Sequence, residues 1–200
     1  MIPLKISKEE VNALDLGAFT GNIILVEDEK SLQEMEKDLL SSKIIGFDTE
    51  TRPAFKKGVS YDVALLQLST TENAYLIRIN HFGFPSSAKA ILEDPNIVKV
   101  GAAVRDDLKA LKKISPNFKP DAFFDLNEEL KRVGFLNVGV RNLSAMVLGI
   151  RISKSEQVSN WEAPVLTAKQ MLYAATDAWA CLEIFRKLYK EGYLDELFTT

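Results

Sequence analysis

Three apolar stretches of this chain each lead into carboxylates. Ile44-Ile45-Gly46-Phe47 runs into Asp48-Thr49-Glu50, Val100-Gly101-Ala102-Ala103-Val104 leads to Asp106-Asp107, and Tyr173-Ala174-Ala175-Thr176 precedes Asp177. A carboxylate withdrawn from water is costly unless it is paired or ligates a metal. Several brought together repel, and a hard divalent cation with oxygen ligands relieves them. Any fold must therefore bury these stretches while gathering their acids at one place. The pattern points to a metal-dependent hydrolytic site.

Hydrophobic periodicity supplies the elements around those acids. Asn22–Val26 reads as a short strand, and Glu29–Ser41 carries Leu32, Met35, Leu39 and Leu40 at helical spacing. Residues 43–49 form a buried strand ending in the first acids. The segment 52–62 holds Pro53, Gly58 and two lysines and reads as a loop. Val63–Ser69 and 74–79 are strands joined by a short hairpin-like link. A helix follows at 86–92, a strand at 97–100, a helix at 106–114 and a strand at 122–126. Further helices are expected at 127–133 and 143–148, a loop at 160–164, and a closing helix capped by Thr167 and running to about Tyr189. A β-meander followed by alternating strands and helices predicts an α/β fold: one mixed sheet, part antiparallel and part parallel, with helices on both faces. With no repeat or linker in view, residues 1–200 read as one domain with its core at about 22–190.

Composition narrows the class. At 200 residues, 46% hydrophobic and 26% charged, the chain is expected to be a globular protein with a substantial core. No apolar run is long enough for a membrane span, and the N-terminus lacks a secretion-signal pattern. The single cysteine, Cys181, forms no intramolecular disulfide and reads as helix core, so a reducing, cytoplasmic setting is expected. The net charge of −3 argues against tight, charge-driven binding of polyanions. It does not argue against an enzyme that grips a strand end transiently.

Asp48 and Glu50 are two residues apart on a strand, so both project from one face. Tyr173 lies four residues before Asp177, one helical turn away on the same side. Two divalent ions about 3.5–4 Å apart suit such a group of carboxylates, and a phosphodiester suits the ions, because its displacement needs charge neutralisation at both the attacking and the leaving oxygen. Tyr173 would orient the attacking water. Asp106 and Asp107 compete for the fourth acidic position.

Phe47-Asp48-Thr49-Glu50, Val100-Gly101 through Asp107, and Tyr173-Ala174-Ala175-Thr176-Asp177-Ala178 resemble the three motifs of the DEDD 3′–5′ exonuclease superfamily. The tyrosine four before the last aspartate resembles the DEDDy branch. Ser159-Asn160-Trp161 and the Leu166-Thr167 helix start look most like the Werner-type and ribonuclease D exonuclease domains. The resemblance runs from about Asn22 to Leu188 and implies a ribonuclease H-like fold. It also implies dependence on two Mg²⁺ or Mn²⁺ ions and release of nucleoside 5′-monophosphates from the 3′ ends of single-stranded or 3′-recessed DNA or RNA. By the same resemblance Asp48, Glu50 and Asp177 hold one metal. Asp48 bridges to a second, which Asp107 supports through water, with Tyr173 completing the catalytic set. The other branch of the superfamily uses a histidine near the last aspartate. The lone His81 lies far away, in an expected turn between a strand and a helix.

Other candidates are less specific. Thr49, Arg52, Lys56 and Lys57, in or just after the first acidic strand, are placed to meet a phosphate, although a solvated basic loop has the same composition. Arg151 and Lys154 precede the segment where the resemblance places the rim of the site. Trp161 reads either as a base-stacking ring or as a ring packed beneath a loop. Asp125 reads as a structural hydrogen-bonding residue, and Gln67 as a group satisfying backbone near the site. Two other readings stand beside the exonuclease: a catalytically silent binding module of the same fold, and a hydrolase of short oligonucleotides. The resemblance includes neither an accessory domain nor a helicase, so the source of substrate grip, the oligomeric state and the choice of sugar stay open.

Overall fold

The sheet is built outward from the strand that carries the first acids. In the computed structural model, which describes residues 1–56 and 58–195, β2 (Ile44–Thr51) lies between β3 (Val63–Ser69) and β5 (Val98–Gly101). β4 (Asn73–Ile77) and then β1 (Asn22–Val26) extend one side, and β6 (Phe123–Asp125) closes the other, giving the order β1-β4-β3-β2-β5-β6. The β2-β3-β4 meander is antiparallel, whereas β1 pairs with β4, β5 with β2, and β6 with β5 in parallel. The expected mixed sheet is what forms.

Both faces are covered. Helices α2 (Glu29–Ser41), α4 (Ser86–Glu93) and α5 (Val104–Ile114) press Met35, Leu39, Ile91, Leu92 and Leu111 onto one face, against Ile45, Phe47, Leu66 and Leu68 of the central strands. The long helix α8 (Ala168–Lys190) crosses the other face, with α6 (Leu126–Arg132) and the segment α7 (Val140–Leu143), which continues as a π-helical turn at Ser144–Leu148, packed beside it. Every residue of β3 is buried, as expected of a central strand covered on both sides. Among the described residues, no helix is long and apolar enough to cross a membrane.

The structure differs from expectation at several boundaries. β2 runs on to Thr51 because its pairing with β3 continues through an irregularity between Glu50 and Thr51. β4 ends at Ile77, and a short helix, α3 (Ile79–Phe82), takes up Ile79 and His81 instead of strand and turn. A short N-terminal helix, α1 (Lys8–Ala13), escapes periodicity because it buries only Val11. Its capping box, Ser7 with Glu10, was the legible signal.

The C-terminal ends of β2, β5 and β6 all point to the same edge of the sheet. In a parallel arrangement that edge is where loops and helix starts leave room for a site.

Candidate active site

Alternation along β2 divides its last residues between two faces. Gly46, Asp48 and Glu50 face α8, while Phe47 and Thr49 face the layer that contains α5. Asp177 descends from α8, and suitable oxygens of Asp48, Glu50 and Asp177 all lie within 4.8 Å of one another. The spacing is tight enough for one cation to draw the three together. The donors are carboxylate oxygens with no nitrogen or sulfur among them, which suits a hard divalent ion.

Close approach of α8 to β2 makes this cluster. A Cβ on Gly46 would lie 2.0 Å from the Ala178 carbonyl oxygen and 2.4 Å from Ser69 Oγ. The helix presents Ala174, Ala175 and Ala178, all fully buried, so no side chain holds the two backbones apart. Glycine on the strand and alanines on the helix therefore set the distance at which Asp177 meets Asp48. Cys181, one turn further along α8, is buried beneath the acids, as expected of helix core.

Asp107 comes from the opposite side. After β5 the chain turns tightly at Gly101, where a Cβ would meet Val104 at 2.5 Å, and Ala103 adopts a left-handed conformation with φ of 58°. The Asp125 carboxylate holds this turn, accepting from the N–H groups of Ala103 (2.9 Å) and Val104 (3.0 Å) while also capping α6 through Asn127 (2.8 Å). The structural role expected of Asp125 is thus specific: it fixes the start of the helix that carries Asp107. That helix begins two residues earlier than expected, so Asp106 is not its cap. Asp106 is exposed and pairs with Lys109 at 2.8 Å. Asp107 instead accepts a 2.5 Å hydrogen bond from Thr49 Oγ1. It stands beside the Asp48–Glu50–Asp177 group rather than within it. Thr49 spends its hydroxyl on this carboxylate, a use that sequence reasoning missed.

Burial acts on all four acids, and repulsion from the other acids of the cluster adds to it at Asp48 and Glu50. Desolvation, then the charges of Asp177 and Asp107, push the Asp48 carboxyl well above the ordinary range. Glu50 is raised by burial and by Asp48. Burial lifts Asp107 to about 6 against the hydrogen bond from Thr49, and lifts Asp177 to about 7 against hydrogen bonding by Tyr173. The Tyr173 phenol is itself pushed upward by desolvation and by Asp177, so it stays a neutral donor at physiological pH. Without a cation these acids hold their protons to higher pH than ordinary carboxylates do, and a divalent charge would favour their ionised forms.

The segment before α8 supports Tyr173. Trp161 has no exposed surface and packs among Leu65, Leu76, Leu166 and Ala174, its ring 6.0 Å from that of Tyr173. The base-stacking alternative for Trp161 is therefore corrected: a ring without an exposed face has none to offer a base. Its loop is tied down at both ends. Gln170 Nε2 donates to Ser159 Oγ (2.9 Å) and to the Asn160 carbonyl (3.2 Å). The buried Arg78 donates to the carbonyls of Ala163 (2.5 Å) and Pro164 (2.8 Å) and touches His81 at 3.1 Å.

Beyond the acids, two clefts flank Tyr173 and Asp177. One, of about 280 Å³, is lined by Arg141, Asn142, Lys154 and Gln157; the other, of about 270 Å³, by Leu16, Gly17 and Lys169. Lys154 therefore reaches the rim, whereas Arg151 pairs with Leu16 in an isolated bridge. Sequence reasoning missed Arg141 and the N-terminal segment, which carry no motif. Arg52 pairs with Glu162 at 3.1 Å and lies over the Tyr61 ring. Lys56 lines a separate cleft with Arg52, Phe55 and Tyr61. Lys57 lies outside the described residues. Gln67 does not satisfy backbone groups: both its side-chain polar atoms are buried without a partner.

Comparison with known proteins agrees with this geometry. Residues 23–192 match the 3′–5′ exonuclease family. The chain is 33% identical over 193 residues to the bifunctional 3′–5′ exonuclease/ATP-dependent helicase WRN of Mus musculus, covering 90% of this chain and 14% of that protein. The Nibbler EXO domain of Aedes aegypti superposes with a TM-score of 0.78 at 25% identity, over 90% of this chain and 94% of that one. Escherichia coli RNase D, an exoribonuclease involved in structured RNA processing, gives 0.74 at 26%, over 90% and 49%. The chain spans only a minor part of curated relatives as long as WRN. The fold is the ribonuclease H-like exonuclease fold. Matched over most of its length and built on the same architecture, the chain belongs to the 3′–5′ exonuclease family.

Proposed function

We propose that this chain is a metal-dependent exonuclease of the DEDDy type, removing nucleoside 5′-monophosphates from the 3′ end of a nucleic acid strand. The observation that carries the reading is the convergence of Asp48, Glu50 and Asp177 within 4.8 Å at the end of β2, with Tyr173 one turn from Asp177. Two divalent ions, Mg²⁺ or Mn²⁺, would be held by Asp48, Glu50, Asp177 and Asp107, and when bound would neutralise charge at the attacked phosphodiester.

The chain's own residues do the rest. Tyr173 donates a hydrogen bond to orient the attacking water, and its raised pKa keeps that proton in place. Trp161 and the Arg78-anchored loop hold the phenol in position. Lys154 and Arg141 offer cations to the phosphates of a strand lying in the cleft beside Asp177. All four acids are present, which counts against a catalytically silent module. E. coli RNase D acts on RNA, and that relative makes RNA the first substrate to try.

Product analysis tests the reading. Single-stranded DNA and RNA labelled at either end, together with dinucleotides, are incubated with Mg²⁺, Mn²⁺ or chelator. A metal-dependent ladder shortening from the 3′ end and releasing 5′-monophosphates is expected. Turnover of dinucleotides alone favours the short-oligonucleotide hydrolase, and no turnover of any substrate by the folded protein overturns the enzyme.

A further inference from the structure

Strand β3 reads Val-Ala-Leu-Leu-Gln-Leu-Ser, and its one amide stands out physically. Gln67 is fully buried, and among the described residues it alone leaves both of its polar side-chain atoms buried and unpartnered. A buried polar group without a partner destabilises the fold, so a leucine or methionine would serve the core better.

Register explains where the amide sits. Gln67 is the direct cross-strand partner of Asp48. Directly opposed residues of an antiparallel pair share a face, with Cβ atoms about 4.5–5.5 Å apart. Behind them on that face the Gly46–Ser69 pair is closed off by the Ala178 carbonyl, and ahead of them Glu50 stands opposite Leu65 in an apolar cluster with Trp161. Across the strand on that face the amide's neighbour is Asp48, and along its own strand it is Ser69, whose hydroxyl is likewise buried without a partner; of the two, only Asp48 belongs to the acidic cluster.

We propose that Gln67 is a positioning residue for Asp48: its amide N–H donates to the carboxylate once Asp48 ligates a metal, fixing which oxygen faces the ion. The inference rests on the metal-dependent reading of the site and adds to it a residue outside the acidic motifs. A carboxylate that binds a cation keeps lone pairs free, and a donor on one of them sets the direction of the other. Loss of such an outer partner lowers metal affinity by about 10–100-fold. The amide therefore persists at a cost to the fold because the loaded site needs it.

The test compares Gln67→Met with the parent chain by calorimetric melting in EDTA and in Mn²⁺, and by Mn²⁺ titration. The substitution keeps the volume and removes the orphaned polar atoms. Expected is a melting temperature in EDTA at or above the parent's, with Mn²⁺ binding about 10–100-fold weaker and a smaller Mn²⁺-induced rise in melting temperature. Equal Mn²⁺ affinity in the two proteins overturns the role of Gln67. If the parent itself neither binds Mn²⁺ nor gains stability from it, the metal-dependent reading fails first and takes this inference with it. Should Gln67→Met not fold, the labelled side-chain amide of Gln67 in the parent is followed by NMR during Mg²⁺ titration. A downfield shift of one N–H proton supports the bond to Asp48, and an unmoved resonance at saturating Mg²⁺ overturns it.

Discussion

Gly46→Ala is the substitution whose effect the structure sets most directly. The added Cβ would lie 2.0 Å from the Ala178 carbonyl oxygen, about 1.4 Å inside the 3.4 Å at which ordinary contact begins. The obstructing atom is backbone, so no rotamer of a neighbour makes room, and α8 must lift from β2. Overpacking of this kind costs about 3 kcal/mol, which in a chain of this size lowers the melting temperature by roughly 6–12 °C. The lift acts on Ala178, adjacent to Asp177, and so opens the 4.8 Å cluster. A displacement of about 1 Å at a reacting centre costs roughly 10²-fold in rate. Melting in EDTA, Mn²⁺ titration and the exonuclease rate are the readouts, and all three should fall together. Adding Ala178→Gly should rescue none of them, because the clash is with the carbonyl. A Gly46→Ala protein with the parent's melting temperature and Mn²⁺ affinity would refute the claim that this contact sets the site.

Other expectations concern the acids and the phenol. Asp48→Ala or Asp177→Ala should lower turnover by about 10³-fold or more, yet melt in EDTA no lower than the parent, since repulsion among buried carboxylates is relieved; loss of fold in EDTA would contradict this. Tyr173→Phe should slow turnover by about 10²-fold while leaving Mn²⁺ affinity unchanged by calorimetry. Acidity should act in opposite directions with and without metal. Asp177, raised to about 7, and Asp107, raised to about 6, hold protons in the folded metal-free protein that the unfolded chain has released. Stability in chelator is therefore full below the ordinary carboxylate pKa of about 4 and declines as pH rises through 6 to 7. With Mn²⁺ present the trend should reverse, because ligation requires the deprotonated acids; parallel pH profiles with and without metal would count against the cluster as a metal site.

Much of this site was legible in the sequence because strands and helices have fixed periods. A repeat of two puts Asp48 and Glu50 on one face of β2, and a repeat of 3.6 puts Tyr173 beside Asp177 on α8. The apolar runs around them identified the buried strands, and the order of strands and helices identified the mixed sheet. Those are local consequences of the chain. Packing between distant segments decided the remainder. The separation of α8 from β2 depends on Gly46 meeting a backbone carbonyl on another element. The placement of Asp107 depends on a left-handed Ala103 held by Asp125 and on a hydroxyl from Thr49. Trp161 reads in the sequence more readily as a ring packed beneath a loop than as a stacking platform, and only the structure, with Arg78 and Gln170 tying its loop down, excludes the second reading. Periodicity sets which side of an element faces inward, but the distance between two elements is the outcome of every contact across their interface. The sequence by itself thus determined the fold class and the identity of the acids, and only the tertiary structure decided how closely they meet and which neighbours hold them there.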